Sequence, residues 1–346
     1  MTVGPGQQDT GSVLEVADLR VTYRTEAGPV PAVRGVSFHV DRGEVLGLAG
    51  ESGCGKSTVA HALLRLLAPG ATAEGRVSLN GEDVLSMRAG RLRAVRWSGA
   101  SIVFQGAMHG LNPVQRVGDQ IAEPMLIRRS IGPKEAGSRV NALLERVGIG
   151  ARRARDYPHE LSGGQRQRVM IAMALACEPS LVIADEPSTA LDVMVQAQVL
   201  TLLKELQRSL GLAMLFITHD LSVMVEVCDR IAVMYAGRIV EEGPAPEVFE
   251  SPRHPYTEAL SAAFPRIGDR RFRGAPVGLG GDPPDPQRLP SGCSFHPRCP
   301  KAFEDCPELD PMLTPAGSGQ AAACLLVDGA HDRAVPIGDH ERRLAT

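Results

Sequence analysis

The spacing of apolar and polar positions changes along the chain, and the changes mark its elements. Residues 13–22 and 30–40 are rich in β-branched side chains and flank the turn-like Glu26-Ala27-Gly28-Pro29, which predicts an antiparallel pair of strands. Residues 44–49 form a short apolar run, followed by a Gly-rich turn and by residues 57–67, whose apolar positions recur at helical spacing. That is a strand–loop–helix unit. Further apolar runs at 101–104, 181–184, 213–218 and 231–235 read as strands, with helical stretches at 193–209 and 221–228 between the last three. Continuous apolar strands alternating with helices predict a largely parallel sheet covered on both faces. From about 106 to 177 no strand pattern stands out and helical patterns recur, 134–147 among them, so an inserted helical subdomain is expected.

Six Pro and six Gly lie between 265 and 292, which disfavours helix and sheet interiors and marks a linker or an irregular arm. The expected organisation is a flexible N-terminus at 1–12, an α/β domain at 13–264 and a Pro/Gly-rich extension at 265–346. A length of 346 residues suits one α/β core with a smaller appendage. With 43% hydrophobic and 22% charged residues, the chain has the apolar area for a packed core and is not disordered throughout. Lys and Arg number 37 against 40 Asp and Glu, a formal net charge of −3, and aromatics make up 4%. Lacking a basic field and stacking platforms, the chain is not expected to bind nucleic acid directly. Its longest apolar runs, 169–177 and 212–217, fall well short of the roughly 18 residues a membrane-spanning helix requires. Residues 1–12 hold no basic residue and no apolar stretch, so no secretory signal is read, the cytoplasm is the expected compartment and disulfides are not expected.

The chemistry gathers in three places. Gly50-Glu51-Ser52-Gly53-Cys54-Gly55-Lys56-Ser57 fits G-x-x-x-x-G-K-S/T between a strand and a helix. Its glycines let successive N–H groups curl toward one anion, and the helix starting near Lys56 adds its positive end. Gly50, Ser52, Gly53, Cys54, Gly55 and Thr58 are then candidate phosphate contacts, Lys56 reaches the β- and γ-phosphates, and Ser57 Oγ ligates Mg²⁺. An ordinary βα turn is the bland alternative, disfavoured by the flanking elements. Asp185-Glu186-Pro187 closes the apolar run 181–184, and in open α/β sheets ligands gather at such strand ends. Asp185 suits Mg²⁺, a hard cation that prefers oxygen ligands, and Glu186 suits a general base for an attacking water. Leu161-Ser162-Gly163-Gly164-Gln165 precedes the helix-compatible stretch 166–176, a second helix N-terminus able to hold phosphate.

In this order and spacing the motifs resemble the ATP-binding subunit of ABC transporters over roughly residues 13–264. The resemblance implies an ABC-type P-loop NTPase: an antiparallel β subdomain, a parallel-sheet core and an inserted helical subdomain. It implies ATP with Mg²⁺ enclosed between the phosphate loop of one cassette and the LSGGQ motif of a facing one, hence a second ATPase subunit. By the same resemblance Tyr23 stacks on adenine, and Gln105 joins Ser57 and Asp185 at Mg²⁺. Ser162, Gly163, Gly164 and Gln165 reach the partner's γ-phosphate, Asp192 in Ser188-Thr189-Ala190-Leu191-Asp192 links the two ATP sites, and His219 contacts the γ-phosphate beside Glu186. Residues 104–113 and His254-Pro255-Tyr256-Thr257 resemble the oligopeptide/dipeptide permease subfamily, with Gly106 and Ala107 standing where that subfamily often has Asp and Pro. The subfamily implies peptide uptake at the cytoplasmic face of the membrane, with a heterodimeric ATPase partner, two transmembrane permease subunits and an extracytoplasmic substrate-binding protein. The alternatives are a soluble ABC ATPase of translation or DNA repair, an importer of another small solute such as nickel, or an arm whose role is redox sensing or docking.

Cysteine placement separates the two parts of the chain. Cys54, Cys177 and Cys228 stand singly in apolar or Gly-rich surroundings and read as small core residues. Cys293, Cys299, Cys306 and Cys324 follow C-x5-C-x6-C-x17-C among prolines, which favours a shared metal site without naming the metal. Some peptide-permease ATPases carry such an arm with a [4Fe–4S] cluster, so the resemblance implies that cluster, with zinc second.

Overall fold

In the computed structural model, which describes residues 11–104, 110–128, 131–188, 191–263 and 279–336, the first strands are long and antiparallel. β1 (Ser12–Thr25) pairs with β2 (Gly28–Asp41), Leu14 opposite Val40 and Val21 opposite Val33. The chain then enters the central strand β3 (Val45–Ala49), buried along its whole length, and helix α1 (Lys56–Leu63). It returns to the antiparallel layer as β4 (Thr72–Leu79) and β5 (Glu82–Asp83), giving the order β2-β1-β4-β5. The sequence pattern did not reveal β4, because Gly75 and its exposed polar neighbours interrupt the apolar alternation.

After α2 (Ala89–Ser98) and β6 (Ala100–Val103) the chain enters the helical insertion: α3 (Val117–Ile127), α4 (Pro133–Arg146) and α5 (Gly163–Leu175). In α4 the buried Ala136, Val140 and Leu144 recur every four residues and form one apolar stripe. Parallel strands resume with β7 (Leu181–Asp185), α6 (Val193–Leu210), β8 (Ala213–Ile217), α7 (Leu221–Val227) and β9 (Arg230–Tyr235). A tight turn then reverses the chain into β10 (Arg238–Pro244), followed by α8 (Ala245–Glu250) and α9 (Pro255–Ala263).

The extension adds β11 (Leu309–Asp310), β12 (Thr314–Gly317), β13 (Gln320–Ala322) and β14 (Val335–Pro336). β13 pairs with β10, so the large sheet runs β12-β13-β10-β9-β3-β8-β7-β6 and the extension forms one edge of the cassette's own sheet. Strand alternation divides the core into two layers. Leu46, Leu48, Ile183, Leu215 and Ile217 face α1 and the antiparallel sheet. Val45, Ala49, Val182, Ala184 and Phe216 face the layer of the helical insertion and α6. Among the described residues no helix is long and apolar enough to cross a membrane.

The extension is fastened through a buried charge. Glu241 on β10 is fully buried, and its carboxylate accepts the N–H groups of Arg253 (2.7 Å) and His254 (2.9 Å) and the Gln320 side-chain amide (3.2 Å). Burial pushes the Glu241 carboxyl up, while these donors pull it back down. Gln320→Ala removes one donor and is expected to cost about 1–3 kcal/mol at neutral pH. The folded-state pKa lies above the unfolded one, so the penalty is felt above it and shrinks as pH falls through it and the carboxylate is neutralised. Urea denaturation of both proteins at neutral and acidic pH checks the size and the sign.

Candidate nucleotide site

β3 ends at Ala49 and α1 starts at Lys56, so the glycine-rich loop fills the gap between a buried strand and a helix N-terminus. Gly50 (φ +146°) and Gly55 (φ +108°) sit against neighbouring backbone; a Cβ would lie 2.3 Å from the Met234 carbonyl oxygen in the first case and 2.4 Å from that of Ala32 in the second. No side chain caps the first turn of α1, which leaves its N–H groups directed at the loop's interior. The buried Lys56 Nζ donates to the carbonyls of Gly50 (2.7 Å) and Glu51 (2.8 Å), so its cation is folded onto the loop itself.

Strand order brings the acids to this loop. β7 lies two places from β3 in a parallel array, and its last residue, Asp185, accepts a hydrogen bond from Ser57 Oγ at 3.3 Å. Asp185 is 4% exposed; burial raises its pKa, against the pull of Ser57. Glu186 turns the chain at φ +45°, its N–H donates to the Ile217 carbonyl (2.9 Å), and its Oε1 lies 3.4 Å from His219 Nδ1. The Tyr23 hydroxyl donates to Thr58 Oγ1 at 3.3 Å, which puts this β1 aromatic beside the first turn of α1. Cys54 is buried, as a core residue, with its Sγ 3.7 Å from Lys56 Nζ.

The second glycine motif is held by its own side chains. Ser162 caps α5: its Oγ accepts the Gln165 N–H (3.3 Å), and Gln165 Oε1 accepts the Ser162 N–H (3.0 Å). Helix α5 therefore begins three residues before the sequence pattern predicts, because this reciprocal pair holds two glycines in its first turn. Asp192 caps α6 by accepting the Val195 N–H (3.0 Å), and a Cβ on Gly164 would lie 2.4 Å from Val195 Cγ1. Ser162–Gln165 and Asp192 thus share one packed corner, next to the exposed Val193 and Met194. Gln105, with Gly106 and Ala107, and Thr189 and Ala190 lie outside the described residues.

One residue of the site carried no signal in the sequence. Arg298, in the cysteine arm, forms a two-pronged ion pair with Glu51 in the phosphate loop: Nη1 to Oε2 at 2.7 Å and Nη2 to Oε1 at 3.0 Å. No local pattern reveals a contact between positions so far apart in the chain. The four arm cysteines line one small cavity with His254 and Phe295. Burial, reinforced by the neighbouring thiols, pushes the Cys293 thiol up to about 12. No three of these sulfurs lie within 4.8 Å of one another. As a donor set the four thiols suit a metal centre.

Residues 33–189 match the ABC transporter family, and residues 240–306 match the C-terminal region of the oligopeptide/dipeptide transporter family. The chain is 45% identical over 330 residues to the oligopeptide transport ATP-binding protein OppD of Escherichia coli, covering 93% of this chain and 96% of that protein. It is 42% identical over 331 residues to the dipeptide transport ATP-binding protein DppD of Bacillus subtilis, covering 94% and 98%. Among solved structures, a dimeric ATP-binding cassette in a post-hydrolysis state with ADP and Pi superposes with a TM-score of 0.60 at 28% identity, over 67% of this chain and 98% of that one. The cbiO1 protein of Clostridium perfringens, part of the ABC transporter complex cbiONQ, gives 0.59 at 32% identity, over 69% and 91%.

Ser162→Ala removes the cap of α5 and is expected to lower stability by about 1 kcal/mol in the isolated chain; a urea midpoint equal to that of the unaltered protein contradicts the capping geometry.

Proposed function

The chain belongs to the ATP-binding proteins of ABC transporters, in the oligopeptide and dipeptide branch, and is an ATP hydrolase; on that premise we propose that it powers uptake of short peptides through membrane partners. The observation that carries the reading is the convergence at the strand ends of the parallel sheet: Lys56 in the loop, Ser57 on Asp185, and Glu186 beside His219. Loop amides and Lys56 take the β- and γ-phosphates. Ser57 and Asp185 hold Mg²⁺, joined by Gln105, and Tyr23 supports the adenine. Glu186 accepts a proton from the water that attacks the γ-phosphorus; the β–γ bridging P–O bond breaks and ADP and phosphate leave. His219 steadies the γ-phosphate.

Catalysis in this reading requires a second cassette. Ser162, Gly163, Gly164 and Gln165 of each chain close the ATP site of the other, with Asp192 between the two sites, and a separate ATPase subunit makes the pair a heterodimer. Two transmembrane permease subunits and an extracytoplasmic substrate-binding protein complete the importer, and this chain lies at the cytoplasmic face of the membrane without entering it. Cys293, Cys299, Cys306 and Cys324 are assigned a [4Fe–4S] cluster, with zinc as second choice. When bound, such a cluster cross-links a Pro-rich segment that has little core of its own.

Glu186→Gln is expected to cut ATP turnover by about 10²-fold or more while nucleotide still binds, trapping an ATP-bound pair of cassettes. Phosphate release and size-exclusion chromatography read this out, and undiminished turnover refutes the base assignment. Protein purified without oxygen is expected to contain iron and sulfide and to absorb broadly at about 400 nm; a colourless protein with one zinc per chain selects zinc.

A further inference from the structure

The phosphate loop is held from outside by the cysteine arm. Arg298, immediately before Cys299, is 7% exposed at its side chain, and Glu51 is 24% exposed. The guanidinium is held at several points: Nε donates to the Gly280 carbonyl at 3.0 Å, Nη1 and Nη2 grip Glu51, Nη1 also reaches the Tyr235 hydroxyl at 3.4 Å, and the group lies 5.8 Å from the centre of the Tyr235 ring. Glu51 is fixed at two further points, its N–H donating to the Tyr256 hydroxyl (2.8 Å) and its carbonyl accepting from Lys56. The arm also runs alongside the loop, Pro283, Pro284 and Pro286 lining a cleft with Glu51, Ser52 and Cys54.

A carboxylate in this position works against the loop's task. Glu51 places a carboxylate in a loop whose amides and lysine serve an anion. Only a matched cation held in place cancels it, and the planar fork of arginine meets a carboxylate through two parallel bonds.

We propose that Arg298 is a positioning residue of the nucleotide site: it neutralises and orients Glu51, so the cysteine arm is a working part of the phosphate loop. The proposal rests on the reading of residues 50–57 as the nucleotide loop and deepens it. One consequence is linkage: what holds Arg298 in place strengthens nucleotide binding, and bound nucleotide favours the ordered arm by the same factor.

The test is a charge cycle in the full-length chain, read as the affinity for a fluorescent ATP analogue with Mg²⁺. Arg298→Ala is expected to weaken binding by about tenfold or more, because it strands a partly buried carboxylate beside the phosphates. Arg298→Lys, which keeps the charge and loses the fork, falls between. Glu51→Gln is expected to bind at least as tightly as the unaltered chain, and Glu51→Gln combined with Arg298→Ala to recover most of the loss. An arm contact that is merely structural predicts the opposite, since Glu51→Gln breaks the same ion pair and then weakens binding with no rescue in the double variant; that result overturns the proposal, as does unaltered affinity in Arg298→Ala. Lys56→Ala in the same assay separates the two readings: if it leaves affinity unchanged the nucleotide loop itself is misassigned, whereas if it weakens binding and Arg298→Ala does not, only the role of Arg298 fails.

Discussion

A loop that binds phosphate through its backbone must turn N–H groups toward the anion and yet be held still. Here Gly50 and Gly55 are pressed against the carbonyls of Met234 and Ala32, where no side chain fits, and Lys56 occupies two of the loop's own carbonyls. The rest of the cassette holds that arrangement. β3 is buried on both faces and α1 packs its apolar side into one of the two layers, so the loop is anchored at both ends. The parallel order β3-β8-β7 then delivers Asp185 to Ser57 and Glu186 to His219 without any motif specifying the distance.

The extension solves a second problem of the same sheet. β10 would leave a row of unpaired backbone groups at the edge, an invitation to mispairing. β13 pairs with it, and β12 closes outside β13. The buried Glu241 makes this register specific, because only one placement of Gln320 meets its carboxylate. The extension that supplies these edge strands also bears the cysteines and Arg298, so one attachment serves the sheet, the candidate metal centre and the phosphate loop.

The Ser162 corner has a different logic. Its serine and glutamine cap their own helix, and Gly164 leaves no room between α5 and Val195. The motif is therefore held in shape by contacts within its own chain. A rigid surface of this kind loses little freedom on meeting a partner, which suits a site assembled from two chains.

The sequence by itself determined the strand–loop–helix unit, the parallel core, the antiparallel pair at the N-terminus and the presence of a helical insertion. These follow from local periods of two and 3.6 residues and from glycine, serine and lysine at fixed spacing, which act within a few residues of themselves. The same local rules missed β4, whose polar half and Gly75 hide its pairing with β1, and they missed β12 and β13, which are too short and too rich in small residues to announce a strand. Only the tertiary structure decided that the extension joins the sheet, that the four cysteines line one cavity and that Arg298 meets Glu51. Those contacts join residues far apart in the chain, and such pairings are set by which surfaces the fold buries together, which no local pattern records.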